Sequence, residues 1–234
     1  DGKVYALALE DGSKVWDFAT EGRVWATPVV VDETVYIASM DHHLYALDLQ
    51  TGEMQWQFET TGAVATTPTQ YEDTLLIGDF ASKLYQIDLE RGEAVWTFEV
   101  EDWLWATPVL DDNHRLFFAD VVGHVYALDL ESKAMLWDEP ASIGDTVHAK
   151  PVLNGDGLLI VAGYERGQLH ALDVETGGVH ANWAKEFETP GRMPGNLVSD
   201  GERLYAMPIL VQDRVRAFDL KTGDLLWTAP ESSE

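Results

Sequence analysis

A segment ending in tryptophan recurs along the chain about every 40 residues, and this repeat restricts the possible folds more than any other feature. The clearest copy, ALDLQTGEMQW, runs from Ala46 to Trp56. Related copies end at Trp16, Trp96, Trp137 and Trp227, and a sixth copy begins at Ala171 with its tryptophan, Trp183, two residues late. Repetition at this period is typical of propellers and solenoids, so the unit within one period decides the fold.

One period, residues 26–59, divides into four short runs rich in β-branched and aromatic residues, ATPVVV, ETVYIAS, HLYALDL and EMQWQFE. We name the strands they predict A, B, C and D. Connections this short favour antiparallel hairpins. A four-stranded sheet in each repeat of about 40 residues is the signature of a propeller blade. An immunoglobulin-type sandwich lacks this repeat, and alternation with period two argues against helical solenoids.

The sequence therefore predicts an all-β protein, a β-propeller of four-stranded antiparallel blades forming a single domain over residues 1–234. The predicted blades are 1–19 (strands C and D only), 26–59, 65–99, 106–139, 149–187 and 193–229. Five blades are full and one is half a blade, so we expect N-terminal strands to be missing from this sequence.

Four residue types mark fixed places in the predicted blade. A proline is expected to open each strand A at the central channel, because proline cannot donate to a ladder. An aspartate before each C–D turn is expected to accept hydrogen bonds from turn N–H groups, and a glycine to adopt the left-handed conformation there. The tryptophans are predicted to be largely buried at the seams between blades. The prolines are Pro28, Pro68, Pro108, Pro151 and Pro194; the aspartates are Asp48, Asp88, Asp129, Asp173 and Asp219; the glycines are Gly12, Gly52, Gly92, Gly177 and Gly223; the tryptophans are Trp16, Trp56, Trp96, Trp137 and Trp227.

The pattern A-x-D-x-x-T-G-x-x-x-W resembles the tryptophan docking motif of the pyrroloquinoline-quinone-type propeller repeats. The copies 46–56 and 217–227 match at every motif position, and the others match in part. The resemblance implies a ring of seven or eight blades. It leaves function open, because the family includes quinoprotein dehydrogenases, extracellular sensor domains and the lipoprotein subunit of the bacterial outer-membrane β-barrel assembly machinery.

Charge and cysteine content exclude several classes of function. With 15 Lys and Arg against 41 Asp and Glu, the net charge is −26, which repels nucleic acid and suits a basic partner or a saline habitat. The chain has no cysteine, which excludes disulfides, thiolate metal sites and a cysteine nucleophile. No apolar run is long enough to span a membrane, so any lipid anchor is expected to lie outside this sequence.

No catalytic residue, cofactor site or metal site is predicted. A quinone enzyme of this family would need calcium ligands over the channel, and Asn196 is the nearest candidate, although a strand-end role is expected for it. The DDNH run at 111–114 falls on an A–B turn, and His42 and His43 point apart in an extended segment.

Large apolar residues are instead predicted at one end of the ring, where the D–A and B–C loops emerge on the same face. The candidate protein-binding residues are Trp25, Phe80, Trp103, Trp105 and Tyr164. They would either dock a partner or plug the channel mouth and staple neighbouring blades. We expect at least two of them to be substantially exposed.

These features favour a non-catalytic, protein-binding scaffold outside the cytoplasm, resembling the assembly-machinery lipoprotein. Two alternatives remain open at this point. One is a ligand-sensing propeller attached to a signalling domain, and the other is a fragment of a quinone-dependent dehydrogenase. An upstream signal peptide with a lipidated cysteine would support the scaffold, and an upstream kinase domain would support the sensor.

Overall fold

The structure is a computed structural model that describes residues 2–181, 183, 191–209 and 215–229. Over these residues every regular element is a β-strand, and the strands form six antiparallel sheets. No helix in this part of the chain is long and apolar enough to cross a membrane. The chain divides into two compact units, Asp1–Thr107 and Pro108–Glu234.

The first unit contains sheets 1 to 3, in which neighbouring strands are consecutive in sequence. Sheet 1 pairs β1 (Lys3–Leu7) with β2 (Lys14–Ala19). Sheet 2 is β3 (Val29–Val31), β4 (Thr34–Ala38), β5 (His43–Asp48) and β6 (Met54–Glu59); sheet 3 is β7 (Thr69–Tyr71), β8 (Thr74–Gly78), β9 (Lys83–Asp88) and β10 (Ala94–Glu99). These are the strands A to D that the sequence pattern predicts. The core lies between sheets, where Leu44 and Ala46 of sheet 2 pack with Leu75 and Ile77 of sheet 3.

The second unit contains sheets 4 to 6. Sheet 4 is β11 (Val109–Leu110), β12 (Arg115–Ala119) and β13 (His124–Asp129), with β14 (Ala134–Met135) and β15 (Ala141–Ser142) both pairing with β13. Sheet 5 is β16 (Val152–Leu153), β17 (Leu158–Ala162) and β18 (Leu169–Asp173); sheet 6 is β19 (Val198–Ser199), β20 (Arg203–Ala206), β21 (Val215–Asp219) and β22 (Leu225–Ala229). The end of the blade predicted at 149–187 lies outside the described residues, as do 210–214 within the last predicted blade.

The outer strand of sheet 4 departs from the predicted pattern. Instead of one strand D through Trp137, two short pieces flank residues 136–140, which belong to no strand. Pro140 has no N–H to donate to β13, which gives a physical reason for the interruption. The C–D turn of this sheet also differs, since Lys133 takes the left-handed conformation (φ 60°) that glycine takes in the other copies.

The tryptophans dock on the C–D turn of the following sheet. The indole N–H of Trp16 donates to the Leu49 carbonyl oxygen at 3.0 Å, and a Cβ added to Gly52 would lie 2.6 Å from the same ring. Trp56 and Trp137 repeat both contacts on the next turn in their own units. The turn glycine therefore has a second role that its conformation alone did not reveal, because it leaves room for the ring.

Burial of the tryptophans varies more than the sequence predicts. Trp16 and Trp137 are buried, Trp56 and Trp96 are half-buried, and Trp227 is 43% exposed, contrary to the prediction for it. The physical reason is that no later C–D turn among the described residues covers the Trp227 ring. Trp183, the late copy, is buried and its ring lies against Gly223, although its indole N–H lacks the hydrogen bond that Trp16, Trp56 and Trp137 make.

The prediction for the fifth proline is wrong. Pro28, Pro68, Pro108 and Pro151 directly precede a strand A, but β19 begins four residues after Pro194, at Val198. Pairing of Val198 with Tyr205 matches that of Val29 with Tyr36, so Leu197 holds the place of the other prolines. Asn196, the residue before Leu197, has a partner consistent with this alignment, since its Oδ1 accepts the Lys150 N–H at 2.8 Å. Thr67 Oγ1 likewise accepts the Thr27 N–H at 3.2 Å in the first unit.

Replacing Gly92 by alanine should destabilise the protein more than replacing Gly12, although both glycines lie at the same turn position with positive φ (65° and 72°). Each substitution should cost about 1–2 kcal/mol for the left-handed backbone. Only at Gly92 would the new Cβ meet a ring, 2.5 Å from Trp56 Cδ2, which should add about 1–3 kcal/mol. Denaturant unfolding of both variants measures the difference in the free energy of unfolding. Equal losses would show that Gly92 is not needed to make room for the Trp56 ring.

Candidate functional site

In sheets 2, 3 and 5, one aspartate side chain joins the B–C loop of the sheet to the D–A loop that leads into it. In sheet 3, Asp79 is fully buried. Its Oδ1 accepts the N–H groups of Ala81 and Lys83, and its Oδ2 accepts the Gly62 N–H at 2.8 Å and the Tyr85 hydroxyl at 3.0 Å. Gly62 belongs to the D–A loop, so one carboxylate fixes both loops of this face. The sequence pattern did not single out this aspartate, although Asp79 and Asp120 follow their B strands at the same position.

Two other sheets achieve the same connection with an aspartate from another position. In sheet 2, Asp41 lies two residues further along and accepts the N–H groups of Glu21 and Gly22. Burial by itself raises the pKa of Asp41, but hydrogen bonds from Ser39, Tyr45 and the two N–H groups outweigh it and lower the pKa.

In sheet 5 the aspartate comes from the opposite loop. Gly163 occupies the place of Asp79, and a side chain there would collide with the Asp145 carboxylate. Asp145, on the D–A loop, accepts the N–H groups of Glu165 and Arg166 of the B–C loop. The connection between the two loops is thus retained with donor and acceptor loops exchanged.

Four of the five predicted protein-binding residues meet on the loop face of the first unit. Phe80 of a B–C loop stacks on Trp103 (centroids 5.5 Å apart, planes at 13°) and on Trp105 (5.2 Å, 19°). Trp105 in turn contacts Trp25 at 5.3 Å. We call Trp25, Trp105, Phe80 and Trp103 the aromatic row. Trp25 and Trp105 are two repeats apart, and the repeat between them has Ala65 at the same position. The small side chain of Ala65 leaves room for the two tryptophan rings to meet.

The two ends of the aromatic row are exposed and its middle is partly covered. Trp25 is 50% and Trp103 is 51% exposed, whereas Phe80 and Trp105 are half-buried. The stacking contacts hold Phe80 and Trp105 in place, so these two rings connect the B–C loop that carries Phe80 to the D–A loop that carries Trp105. Trp25 and Trp103 present aromatic surface to solvent, which suits contact with another molecule.

Carboxylates lie close in sequence to the Trp103 end of the row. Glu99 and Glu101 are exposed, and Asp102 Oδ1 accepts the Trp103 N–H at 2.8 Å. At the Trp25 end, Glu21 and Arg23 are both exposed and offset each other in charge. In sequence, the residues beside Trp103 are therefore more acidic than those beside Trp25.

Tyr164, the fifth predicted residue, lies in the second unit with neighbours of its own. His148 stacks on the ring at 4.2 Å, and the Arg192 guanidinium lies 5.6 Å from its centroid. Arg192 also forms an ion pair with Glu165 at 3.1 Å. Burial lowers the pKa of His148 against the opposing influence of Glu165 and Asp145, which favours the neutral form of its ring. Tyr164 is half-buried by these contacts and is a less accessible anchor than Trp25 or Trp103.

The residues considered as ligands for a metal or quinone have structural partners. Asn196 Oδ1 accepts the Lys150 N–H, and Asp111 of the DDNH run accepts the N–H groups of Asn113 and Arg115. His43 Nδ1 lies 2.9 Å from the Asp41 carbonyl oxygen. Over the described ranges no three His, Asp or Glu side chains are grouped to hold a metal ion.

The predicted aspartates lie at the C–D turns, at the end of each sheet opposite its own B–C loop. Asp48 Oδ1 accepts the N–H groups of Gln50 and Thr51 at 3.0 and 2.8 Å, and Asp219 repeats this arrangement. Hydrogen bonds, first from the Thr51 N–H, lower the pKa of Asp48. These carboxylates stabilise turns and are not part of the candidate site.

Repeated four-stranded sheets joined by docked tryptophans define a propeller of the tryptophan-docked repeat class, with an aromatic row on one loop face. The family model described as outer membrane protein assembly factor BamB matches residues 1–179 and 122–234. The two matches together span the chain, which therefore belongs to the BamB family.

Solved structures confirm the predicted β-propeller fold. BamB from Moraxella catarrhalis is similar to this chain with a TM-score of 0.76 at 20% sequence identity, over 97% of this chain and 70% of that one. In all, 1632 chains of solved structures match, so the fold alone does not select a function. No curated protein sequence matches the chain.

Proposed function

We propose that this chain is a non-catalytic, protein-binding scaffold that acts in outer-membrane protein assembly, outside the cytoplasm. The observation that carries the proposal is the match of an outer membrane assembly factor family over the whole chain. A scaffold needs a surface for a partner, and the aromatic row offers one, with Trp25 and Trp103 about half exposed. Exposed tryptophans are the residues that most often dominate binding energy at protein interfaces.

The loop chemistry of each unit also supports binding without catalysis. In the first unit the buried Asp79 carboxylate accepts the Gly62 N–H; in the second unit Asp145 accepts the Arg166 N–H, and His148 is packed against Tyr164. These groups hold loops in place, which favours a rigid binding surface. Pre-ordered loops lower the entropy cost of association.

Deleting the complete gene in its native bacterium should lower the amount of folded β-barrel protein in the outer membrane. Wild type should restore it, whereas a Trp25→Ala/Trp103→Ala variant should restore it poorly, because each key aromatic truncated can cost about 2 kcal/mol of binding. Trp227→Ala is the matched control, since Trp227 is 43% exposed and lies outside the row. Immunoblots of the heat-modifiable barrel proteins measure the effect.

Two results would contradict the proposal. Unchanged barrel levels after deletion would refute the function in assembly. Equal failure of the Trp227→Ala control and the double variant would show that the loss comes from general destabilisation, so near-ultraviolet circular dichroism of each purified variant must first match wild type.

A further inference from the structure

We propose that the aromatic row binds an arginine-bearing segment of a partner protein, with a guanidinium on Trp103 beside the carboxylates of the same loop. The inference rests on the proposed scaffold function and names the chemistry of its partner. It concerns the first unit alone.

Trp103 is arranged to accept a cation. One side of its ring stacks on Phe80 in a nearly parallel arrangement, which fixes the ring, and half of the residue remains exposed. Among aromatic side chains, the indole ring attracts a guanidinium or ammonium most strongly. A fixed ring binds such a group with little further loss of side-chain entropy.

The charges around Trp103 select for a basic group. Glu99 and Glu101 are exposed and Asp102 Oδ1 accepts the Trp103 N–H, so three carboxylates lie within four positions of Trp103 in the sequence. An arginine can stack its planar guanidinium on an aromatic ring while its N–H groups point to a carboxylate, whereas lysine presents only a point charge. Arginine therefore fits this surface better than lysine.

The second unit also combines a ring, a guanidinium and a carboxylate, although there the guanidinium itself holds the place of Trp103. Trp103 and Arg192 hold equivalent repeat positions, because each precedes the residue whose N–H bonds back to a B–C loop, Leu104 to Asp79 and Met193 to Tyr164. There, Arg192 lies over the Tyr164 ring and pairs with Glu165. A partner's arginine on Trp103, beside Glu101, would reproduce this combination of ring and carboxylate.

The composition of the chain argues against a second copy as the occupant. Lys and Arg number 15 against 41 Asp and Glu, and the net charge of −26 makes two copies repel. The same charge attracts a basic partner over distances set by the ionic strength. A heterologous basic segment is thus the occupant that the charges favour.

The test uses the full chain and a short extended synthetic peptide with arginine at alternate positions. Matched peptides carry lysine, which keeps the charge, or citrulline, which keeps the shape without the charge. Titrations followed by tryptophan fluorescence and calorimetry give the dissociation constants at low and physiological salt. The arginine peptide should bind about tenfold more tightly than the citrulline peptide, and more tightly than the lysine peptide.

Variants of the protein then locate the site. Trp103→Ala should weaken the arginine peptide about tenfold, Trp103→Phe less, and Trp227→Ala, an exposed tryptophan outside the row, should leave it unchanged. Glu101→Gln should weaken binding and reduce its dependence on salt. Equal binding of the arginine and lysine peptides that is insensitive to Trp103→Ala would overturn the proposal in favour of general charge attraction. Equal binding of the citrulline peptide would also overturn it.

The two proposals fail separately. If barrel assembly depends on the gene but the arginine peptide does not bind, the arginine site is wrong and the scaffold function stands. If the peptide binds as expected but deletion leaves barrel levels unchanged, the site stands and the function in assembly is wrong. Self-association of the chain in ultracentrifugation that Trp103→Ala abolishes would replace the basic partner with a second copy.

Discussion

Replacing Trp56 by alanine should lower the free energy of unfolding by about 3–5 kcal/mol. The ring of Trp56 lies on Gly92 of the next sheet, and its indole N–H donates to the Leu89 carbonyl oxygen at 3.1 Å. The substitution would open a cavity against Tyr36, whose ring centroid is 5.6 Å away, and leave the carbonyl oxygen without this donor. Denaturant unfolding with the midpoint and slope measured together gives the loss.

Two controls separate the contributions of Trp56. Trp56→Phe keeps a ring on Gly92 but removes the N–H donor, so it should cost less, with about 1 kcal/mol from the lost hydrogen bond. Trp227→Ala should cost less than Trp56→Ala because Trp227 is 43% exposed. A loss below about 1 kcal/mol for Trp56→Ala would show that the docked tryptophan does not stabilise the seam.

Replacing Asp79 by alanine is expected to cost about 3–5 kcal/mol, because it leaves several buried donors without their acceptor. The donors include the N–H groups of Gly62 and Lys83 and the Tyr85 hydroxyl. Gly62 is in the D–A loop, so the loop should also loosen. Hydrogen exchange of the Gly62 amide should accelerate in the variant, in addition to the loss measured by denaturant unfolding.

Asp79→Asn tests whether both carboxylate oxygens are needed. Each carboxylate oxygen of Asp79 accepts at least one backbone N–H. In either orientation of the asparagine amide, its NH2 group would therefore face a backbone N–H that needs an acceptor. This variant should therefore still lose about 1–3 kcal/mol. Asp73→Ala, at an exposed aspartate of the same sheet, should change stability by less than about 0.5 kcal/mol. Equal effects at Asp73 and Asp79 would contradict the role assigned to the buried carboxylate.

Much of the fold could be predicted because the same pattern of strands and turns recurs in several copies along the sequence. Strand position, hairpin connection and turn residues all follow from local chemistry that recurs with one period, so an error in one copy is corrected by the others. The prediction was wrong where a single residue was used as a marker. Pro194 was aligned as a strand opener, but the backbone pairing of Val198 with Tyr205 shows that the strand begins four residues later.

The aromatic row could be predicted only as a set of residues. Large apolar groups on turns are visible in sequence, and Trp25 and Trp103 are exposed as expected. Their contacts were not predictable, because Trp25 and Trp105 are 80 positions apart and meet only through the packing of loops. Tyr164 was predicted with them, yet Arg192 and His148 flank its ring from other loops of its unit.

The sequence by itself determined the kind of sheet, the order of its strands and the turn chemistry, because hydrophobic alternation and turn preferences act between near neighbours. Only the tertiary structure decided which glycines support a tryptophan, which aspartates are buried and which aromatic rings remain open to solvent. Each of these depends on a residue from a neighbouring repeat, such as Gly92 under Trp56 or Gly62 beside Asp79. Burial and ring contact are properties of such pairs, and no single segment of the sequence contains both members.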